Sequence, residues 1–309
     1  MSSARRLLAA SAVSLLSVSP LTFAAPPPEK IPGQPSYGTE RYIEYVAGDL
    51  PLVLTSPHGG RLKPTALPDR TNGVTTMDAN TQELARAVAT AFFARTGHHV
   101  HLVASHLHRS KLDPNREIVE GAQGNPTAER AWHEFHASIR EALAAAVARH
   151  GFAFLVDLHG HAHAIPRLEL GYALDALPLN QSDAAFDNSG LIALTTLRDL
   201  AARLGGSPTA LVRGPRSLGA LFAARGLRAV PSPQEPQPGN NPFFAGGYIV
   251  RQHAAAPDTP KVDGLQIECH RLGLRDTAAN HAHFAKIAAE VLTLFVEEHY
   301  PFKFPAPQK

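Results

Sequence analysis

The chain has a single cysteine, Cys269, in 309 residues. It forms no internal disulfide, and it cannot build a thiolate cluster around zinc. Any metal it holds must take imidazole and carboxylate ligands. A Gly-x-Ser-x-Gly nucleophile elbow is missing, and the glycine-rich pieces match no phosphate-binding spacing. Surplus charge is missing as well, since 29 Lys and Arg stand against 27 Asp and Glu. The apolar run at residues 7–16 is too short to be a convincing membrane span. Neither an internal repeat nor a second domain boundary is visible.

That early apolar run follows Arg5 and Arg6 and leads to a small-x-small pattern, Thr22-Phe-Ala24, before a proline run. Residues 1–24 read as a secretory signal peptide, with an uncleaved anchor as the alternative, so a secreted or periplasmic protein is expected. Removing this segment takes away two arginines and no acid, and it leaves basic and acidic side chains in balance. A near-neutral chain argues against electrostatic capture of nucleic acid and, after cleavage, against a membrane-surface role.

Residues 25–40 are proline-rich and read as a linker, followed by one catalytic-sized domain over residues 41–309. Strands are expected at residues 42–46, 52–55, 99–104, 152–156, 168–172, 209–212, 246–251 and 265–269. Leu84, Val88 and Phe92 recur at helical spacing, as do Trp132, Phe135, Ile139, Leu143 and Val147. Further helices are expected at residues 189–204 and 217–225, and a closing one carries Phe284, Ile287, Val291 and Phe295. Strand, helix and strand follow one another twice, which predicts an α/β fold with a parallel sheet. The Pro- and Asn-rich stretch at residues 231–242 is long enough for the wall or lid of a site.

The chemistry concentrates in Asp157-Leu-His-Gly-His161, where the apolar run at residues 152–156 stops. In extended chain, Asp157, His159 and His161 share one face. His58, in Ser56-Pro-His-Gly-Gly60, follows another strand in the same way. Open α/β sheets bind ligands beyond the carboxyl ends of their strands, so His58 and His159 are candidate ligands of one zinc ion. Either histidine alone could instead hydrogen-bond its own turn. The third ligand is Asp78 or, failing that, His161, and Asp78 could equally be a helix N-cap. His163, His106 and His108 remain open. Asp157 reads as a carboxylate standing behind a ligand imidazole. Glu268, inside an apolar strand, reads as a general base or as the partner of Arg271 or Arg275. Arg109, Asn115 and Arg116, with Arg251 a weaker candidate, suit a substrate carboxylate or an oxyanion, although an ordinary surface loop would look the same.

Taken in order, Ser56-Pro-His-Gly-Gly60, Asp78 with Thr81 and Leu84, Asp113-Pro-Asn-Arg116, Asp157-Leu-His-Gly-His161, Arg213-Gly-Pro-Arg-Ser-Leu218, Gly246-Gly-Tyr248 and Gln266-Ile-Glu268 form a set. On this set the chain resembles the N-formylglutamate amidohydrolase family and, more distantly, the zinc carboxypeptidases. The resemblance implies a three-layer α/β/α fold with a mixed, mostly parallel sheet, one zinc ion, and hydrolysis of the amide of an N-acyl amino acid. It implies His58 and His159 as zinc ligands, Glu268 as the catalytic carboxylate, and Asn115 with Arg116 as the clamp for a substrate carboxylate, while Arg109 or Arg116 is expected to neutralise the oxyanion or hold that carboxylate. Carboxypeptidases carry a ligand Glu three residues after the first histidine. Arg61 stands there in this chain, so the middle ligand must come from elsewhere, and Asp78 is the choice. The expected substrate is a small molecule or short peptide with a free carboxylate. Export would also suit a carboxypeptidase or a cell-wall peptide amidase, and a metal-pocket binding protein without turnover is the non-enzymatic alternative.

Overall fold

The run Leu52–Ser56 is buried along its whole length, which requires cover on both faces of its sheet. The computed structural model describes residues 30–254 and 259–306 and supplies that cover. Residues 1–24, read as a signal peptide, and residues 25–29 of the linker lie outside the described residues. Ile31–Lys309 make one compact unit.

The strands are β1 (Pro35–Tyr37), β2 (Ile43–Val46), β3 (Leu52–Ser56), β4 (His101–Ser105), β5 (Ala153–Gly160), β6 (Leu168–Gly171), β7 (Ala229–Val230) and β8 (Val262–Cys269). They join in one sheet in the order β1-β2-β4-β3-β5-β8-β6-β7. The central four, β4-β3-β5-β8, are parallel. β2 runs antiparallel to β4, and β6 runs antiparallel to β8, so the sheet is mixed but mostly parallel. The helices are α1 (Thr81–Thr96), α2 (Ile118–Ala122), α3 (Pro126–His150), α4 (Ala176–Leu179), α5 (Asp183–Asn188), α6 (Arg198–Leu204), α7 (Pro208–Arg213), α8 (Leu218–Ala223), α9 (Tyr248–His253) and α10 (Ala278–His299).

Strand alternation sorts the core into two clusters. Leu54, Phe154 and Val156 pack with Leu84, Val88 and Phe92 of α1 and with Phe284, Val291 and Phe295 of α10. Their chain neighbours Val53 and Leu155 face the other way, against Phe135 and Ile139 of α3 and Ile249 and Val250 of α9. The result is the expected three-layer α/β/α fold. Chain order also sets where a ligand can bind. From β3 the chain passes through α1 to β4 on one side, and from β4 it passes through α3 to β5 on the other. The switch in direction falls between β3 and β5, whose carboxyl ends therefore open a crevice.

Several local expectations are corrected. Residues 209–212 form α7 and not a strand. Ser207 caps the helix by accepting from the Ala210 N–H, and Pro208 starts it, and these signals outweigh the β-branched residues. Residues 246–251 enter helix α9, because the Asn115 side-chain carbonyl accepts from the Ile249 N–H and satisfies an early helical donor from outside the segment. The helix expected at residues 189–204 is interrupted where Thr196 Oγ1 bonds the Gly264 carbonyl in β8. Residues 35–37 of the proline-rich stretch pair with β2 as the sheet's edge, so β2 lies one strand further in. Among the described residues no helix is long and apolar enough to cross a membrane.

Candidate active site

His58 follows β3 two residues past its end, and His159 is the penultimate residue of β5, so both reach the crevice at the switch point. Their rings meet edge to face with centroids 4.7 Å apart. The loop after His58 returns close to the strand ends. A Cβ on Gly60 would lie 2.4 Å from the backbone of His106, so only glycine permits this approach. Asp78 comes from the segment before α1. Its N–H donates to the His58 carbonyl at 3.0 Å, and its Oδ2 accepts from the Gly160 N–H at 3.2 Å. The Asp78 side chain does not cap α1: its backbone carbonyl accepts from the Thr81 N–H and hydroxyl, the N-cap position is taken by Asn80 in the left-handed region, and the carboxylate is left for the crevice.

These contacts put Asp78 Oδ2 3.3 Å from His58 Nδ1 and 3.2 Å from His159 Nδ1. The three residues are buried, and each offers a ligand atom within 4.8 Å of the others. Tetrahedral coordination at about 2.0–2.1 Å separates neighbouring ligand atoms by about 3.3 Å, so the spacing fits a small divalent cation. The opposite ring nitrogens are both fixed. His58 Nε2 donates to Asp113 Oδ1 at 2.7 Å, and His159 Nε2 donates to Asp157 Oδ2 at 2.8 Å. Each imidazole thus has a carboxylate behind it and presents Nδ1 forward, which is the arrangement that orients metal-binding histidines. Asp157 is fixed in turn by Thr55 Oγ1, which donates to its Oδ1 at 2.6 Å. Asp113 is fixed by Arg109 Nε at 2.9 Å, with Arg70 Nη1 3.8 Å away.

These groups form an ionic cluster. Burial works to raise the Asp78 carboxyl, but the His58 charge and hydrogen bonds from both imidazoles hold it well below its usual range. Burial works to lower His159, and Asp157 with Asp78 overcomes it and raises that imidazole well above its usual value. A cation and a proton therefore compete for the same Nδ1 atoms.

Glu268 lies beside His159 in the β5–β8 register. Burial pushes its carboxyl up to about 8, with His159 opposing and Asp78, Glu169 and Asp157 adding to the rise. Neither Arg271 nor Arg275 pairs with it. Arg275 is itself buried and donates to the carbonyls of Cys269, Ala79 and His161, tying together the three segments that carry Glu268, Asp78 and His159. A single arginine bonding three backbone carbonyls leaves no mark in sequence, and this role was not foreseen. Asp113 and Gln266 stand in the motif set read from the sequence, but that set assigns neither the place of Asp113 behind His58 nor that of Gln266, whose amide donates to Glu268 Oε1.

His58, Asp78, Arg109, Asn115, Arg116, His159 and Glu268 all line one cavity of about 250 Å³. Arg109 is nearly buried between Asp113 and Asp78. Arg116 is half-buried, with Glu120 and the Asn115 carbonyl as partners. Asn115 has its side chain fixed to α9 and to Gln266. Two expected members fall outside this group. Arg251 is not on the cavity wall and bonds the Gly246 and Ala173 carbonyls, because α9 carries its side chain away. His161 lies past the end of β5, bonds the Arg167 carbonyl at 2.8 Å, and joins His163 and Glu169 in a separate cluster. There Glu169 is already shared by His163 Nδ1 at 2.9 Å, the Phe244 N–H at 2.9 Å and Arg167 at 3.6 Å. The stretch at residues 231–242, expected as a wall or lid, contributes no residue to the cavity, and the wall is formed just after it by Phe244, Ala245, Gly246 and Gly247.

A three-layer α/β/α sheet with a His–Asp–His cluster and a buried carboxylate at its switch point is the framework of a hydrolase able to hold a cation. The family described as N-formylglutamate amidohydrolase matches residues 119–274, just over half of the chain, and the chain belongs to that family. The matched stretch contains His159 and Glu268, while His58 and Asp78 precede it. The fold is similar to that of an N-formylglutamate amidohydrolase from Ralstonia eutropha JMP134, with a TM-score of 0.51 at 17% identity, covering 83% of this chain and 98% of that one. A zinc-free structure of a protein called YNDL matches with a TM-score of 0.35 at 12% identity over 84% of this chain and 91% of that one. No curated protein matches the chain.

Proposed function

We propose that the protein is an exported zinc-dependent amidohydrolase that cleaves the amide of an N-acyl amino acid, N-formyl amino acids included. The observation that carries this reading is the placement of two Nδ1 atoms 3.3 and 3.2 Å from one Asp78 oxygen, with each ring held from behind by its own carboxylate. His58, Asp78 and His159 would hold one zinc ion. When bound, zinc polarises the amide carbonyl and lowers the pKa of a water to about 7. Glu268 takes the proton from the attacking water and returns it to the leaving amine, a role for which its place on the cavity wall beside His159 suits it. Arg109 offers positive charge beside the developing oxyanion. Arg116, on the cavity wall and half-exposed, binds the substrate carboxylate in bidentate fashion.

A second reading within the same chemistry, cleavage of short peptides, is favoured by the cavity's apolar members. Val74 and Phe244 both line the cavity and are both exposed, so apolar side chains stand at it that a formyl group alone does not require. Export, read from residues 1–24, suits either substrate.

The test combines metal analysis of the purified protein with a panel of N-formyl and other N-acyl amino acids and short peptides. Turnover that is lost with a chelator and restored by zinc is the expected result. Binding of substrates without product, at one zinc per chain, would overturn the enzyme reading in favour of a binding protein.

A further inference from the structure

The amide of Gln266 can be oriented without ambiguity. Its Oε1 accepts from the Gly247 backbone N–H at 2.8 Å, and a backbone N–H can only donate. A second donor, Asn115 Nδ2, lies 3.4 Å from the same oxygen. The Nε2 end must therefore face the other way, and there it donates to Glu268 Oε1 at 2.9 Å. Gln266 and Glu268 are two residues apart on β8, so their side chains share a face. Both are buried, with 3% and 5% exposure. Glu268 Oε2 has no hydrogen-bond partner among the described residues. The Asn115 amide packs directly against Gly247, where a Cβ would lie 2.2 Å from Asn115 Nδ2.

We infer that Gln266 is a positioning residue for Glu268. Its amide occupies Oε1 and leaves Oε2 as the oxygen that exchanges protons with water and leaving group. This inference rests on the hydrolase reading for its consequence and on the hydrogen-bond directions for its geometry. A chain of contacts follows, from the loop at Gly247 through Gln266 to Glu268, and it joins the cavity wall to the general base. Loss of the Nε2 donor frees Oε1, allows the carboxyl to rotate, and removes a hydrogen bond that favours the ionised form.

Two nearly isosteric substitutions separate this role from a merely structural one. Gln266→Glu keeps an acceptor for Gly247 and loses the donor to Glu268. Gln266→Met loses both. The positioning role predicts that both lower kcat by about 10- to 100-fold, the range found when a group that orients a reacting partner is removed, with KM and bound zinc unchanged. Gln266→Glu should also move the acid limb of the kcat profile to higher pH, because a second carboxyl beside Glu268 disfavours its ionisation. Wild-type kcat and an unshifted profile in Gln266→Glu, with loss confined to Gln266→Met, would reduce Gln266 to a tie for the loop. Melting temperatures show whether either variant is merely unfolded. A readout independent of turnover is the side-chain amide NMR signal of Gln266 in the wild-type protein, assigned by its absence in Gln266→Met. It should shift in Glu268→Ala. An unmoved signal overturns the inference even if the protein proves an active hydrolase, and a shifted signal in a protein without turnover leaves the contact standing while the hydrolase reading falls.

Discussion

Asp113 Oδ1 accepts a hydrogen bond from His58 Nε2 at 2.7 Å, so the imidazole is aimed at the site by a carboxylate that never enters it. Burial works to raise that carboxyl, yet the charges of His58 and Arg109 hold it far below the usual carboxylate range. Asp113→Asn should keep the packing and weaken zinc binding by about 10- to 100-fold. A competitive chelator titration measures this directly. Unchanged zinc affinity would mean that Asp113 serves the fold through Arg109 alone.

Asp78 tests whether it is a ligand or a helix cap. A lost N-cap costs about 1 kcal/mol and leaves metal binding alone. The side-chain contacts of Asp78 go to two histidines, Arg109 and the Gly160 N–H, and Asn80 holds the cap position. Asp78→Ala should therefore lower zinc content per chain below half, while helix content by circular dichroism stays the same. Full zinc occupancy in this variant would remove Asp78 from the metal site.

Burial raises the Glu268 carboxyl from 4.5 to about 8 in the metal-free protein. Between those values the folded protein keeps a proton that the unfolded chain has released. Stability therefore falls as pH rises through this window, and the full loss is present above about 8. Glu268→Gln removes the effect. In zinc-free protein its melting temperature relative to wild type should rise steadily from pH 5 to pH 9, and a constant difference would contradict the burial argument. With zinc restored, the same substitution should lower kcat by about 10²- to 10⁴-fold.

Arg116 and Arg251 differ in place, not in residue type. Arg116 lines the cavity, and Arg251 does not. A charge-assisted hydrogen bond contributes about 1.5–3 kcal/mol, so Arg116→Ala should raise KM by about 10- to 100-fold for substrates with a free carboxylate. Methyl esters of the same substrates should show little change. Arg251→Ala should leave both classes alone. An equal effect of Arg116→Ala on acids and esters would remove it as the carboxylate clamp.

The central strands were legible because their signal is local. Uninterrupted apolar runs at residues 52–55 and 152–156 need cover on both faces, and a polar cluster at their carboxyl ends marks a place where burial stops. α7 and α9 were misread for the opposite reason. Thr209-Ala-Leu-Val212 and Gly246-Gly-Tyr-Ile-Val-Arg251 carry β-forming residues. Their helices are fixed by Ser207 with Pro208 and by a side-chain carbonyl from Asn115, which is far away in the chain. His161 was misjudged because period-two alternation holds only while the strand lasts, and β5 ends at Gly160.

The sequence alone determined which side chains were available: imidazole and carboxylate in place of thiol, two histidines at two strand ends, and a carboxylate inside an apolar strand. Those features depend on residue type and short spacing, which the chain carries in itself. Only the tertiary structure decided that Asp78 stands between His58 and His159, that Asp113 and Asp157 lie behind them, and that Arg275 ties their segments together. The physical reason is that coordination and hydrogen bonding act over about 2–3 Å. Contacts of that reach between residues 20 to 196 positions apart exist only after the sheet has brought the strand ends together.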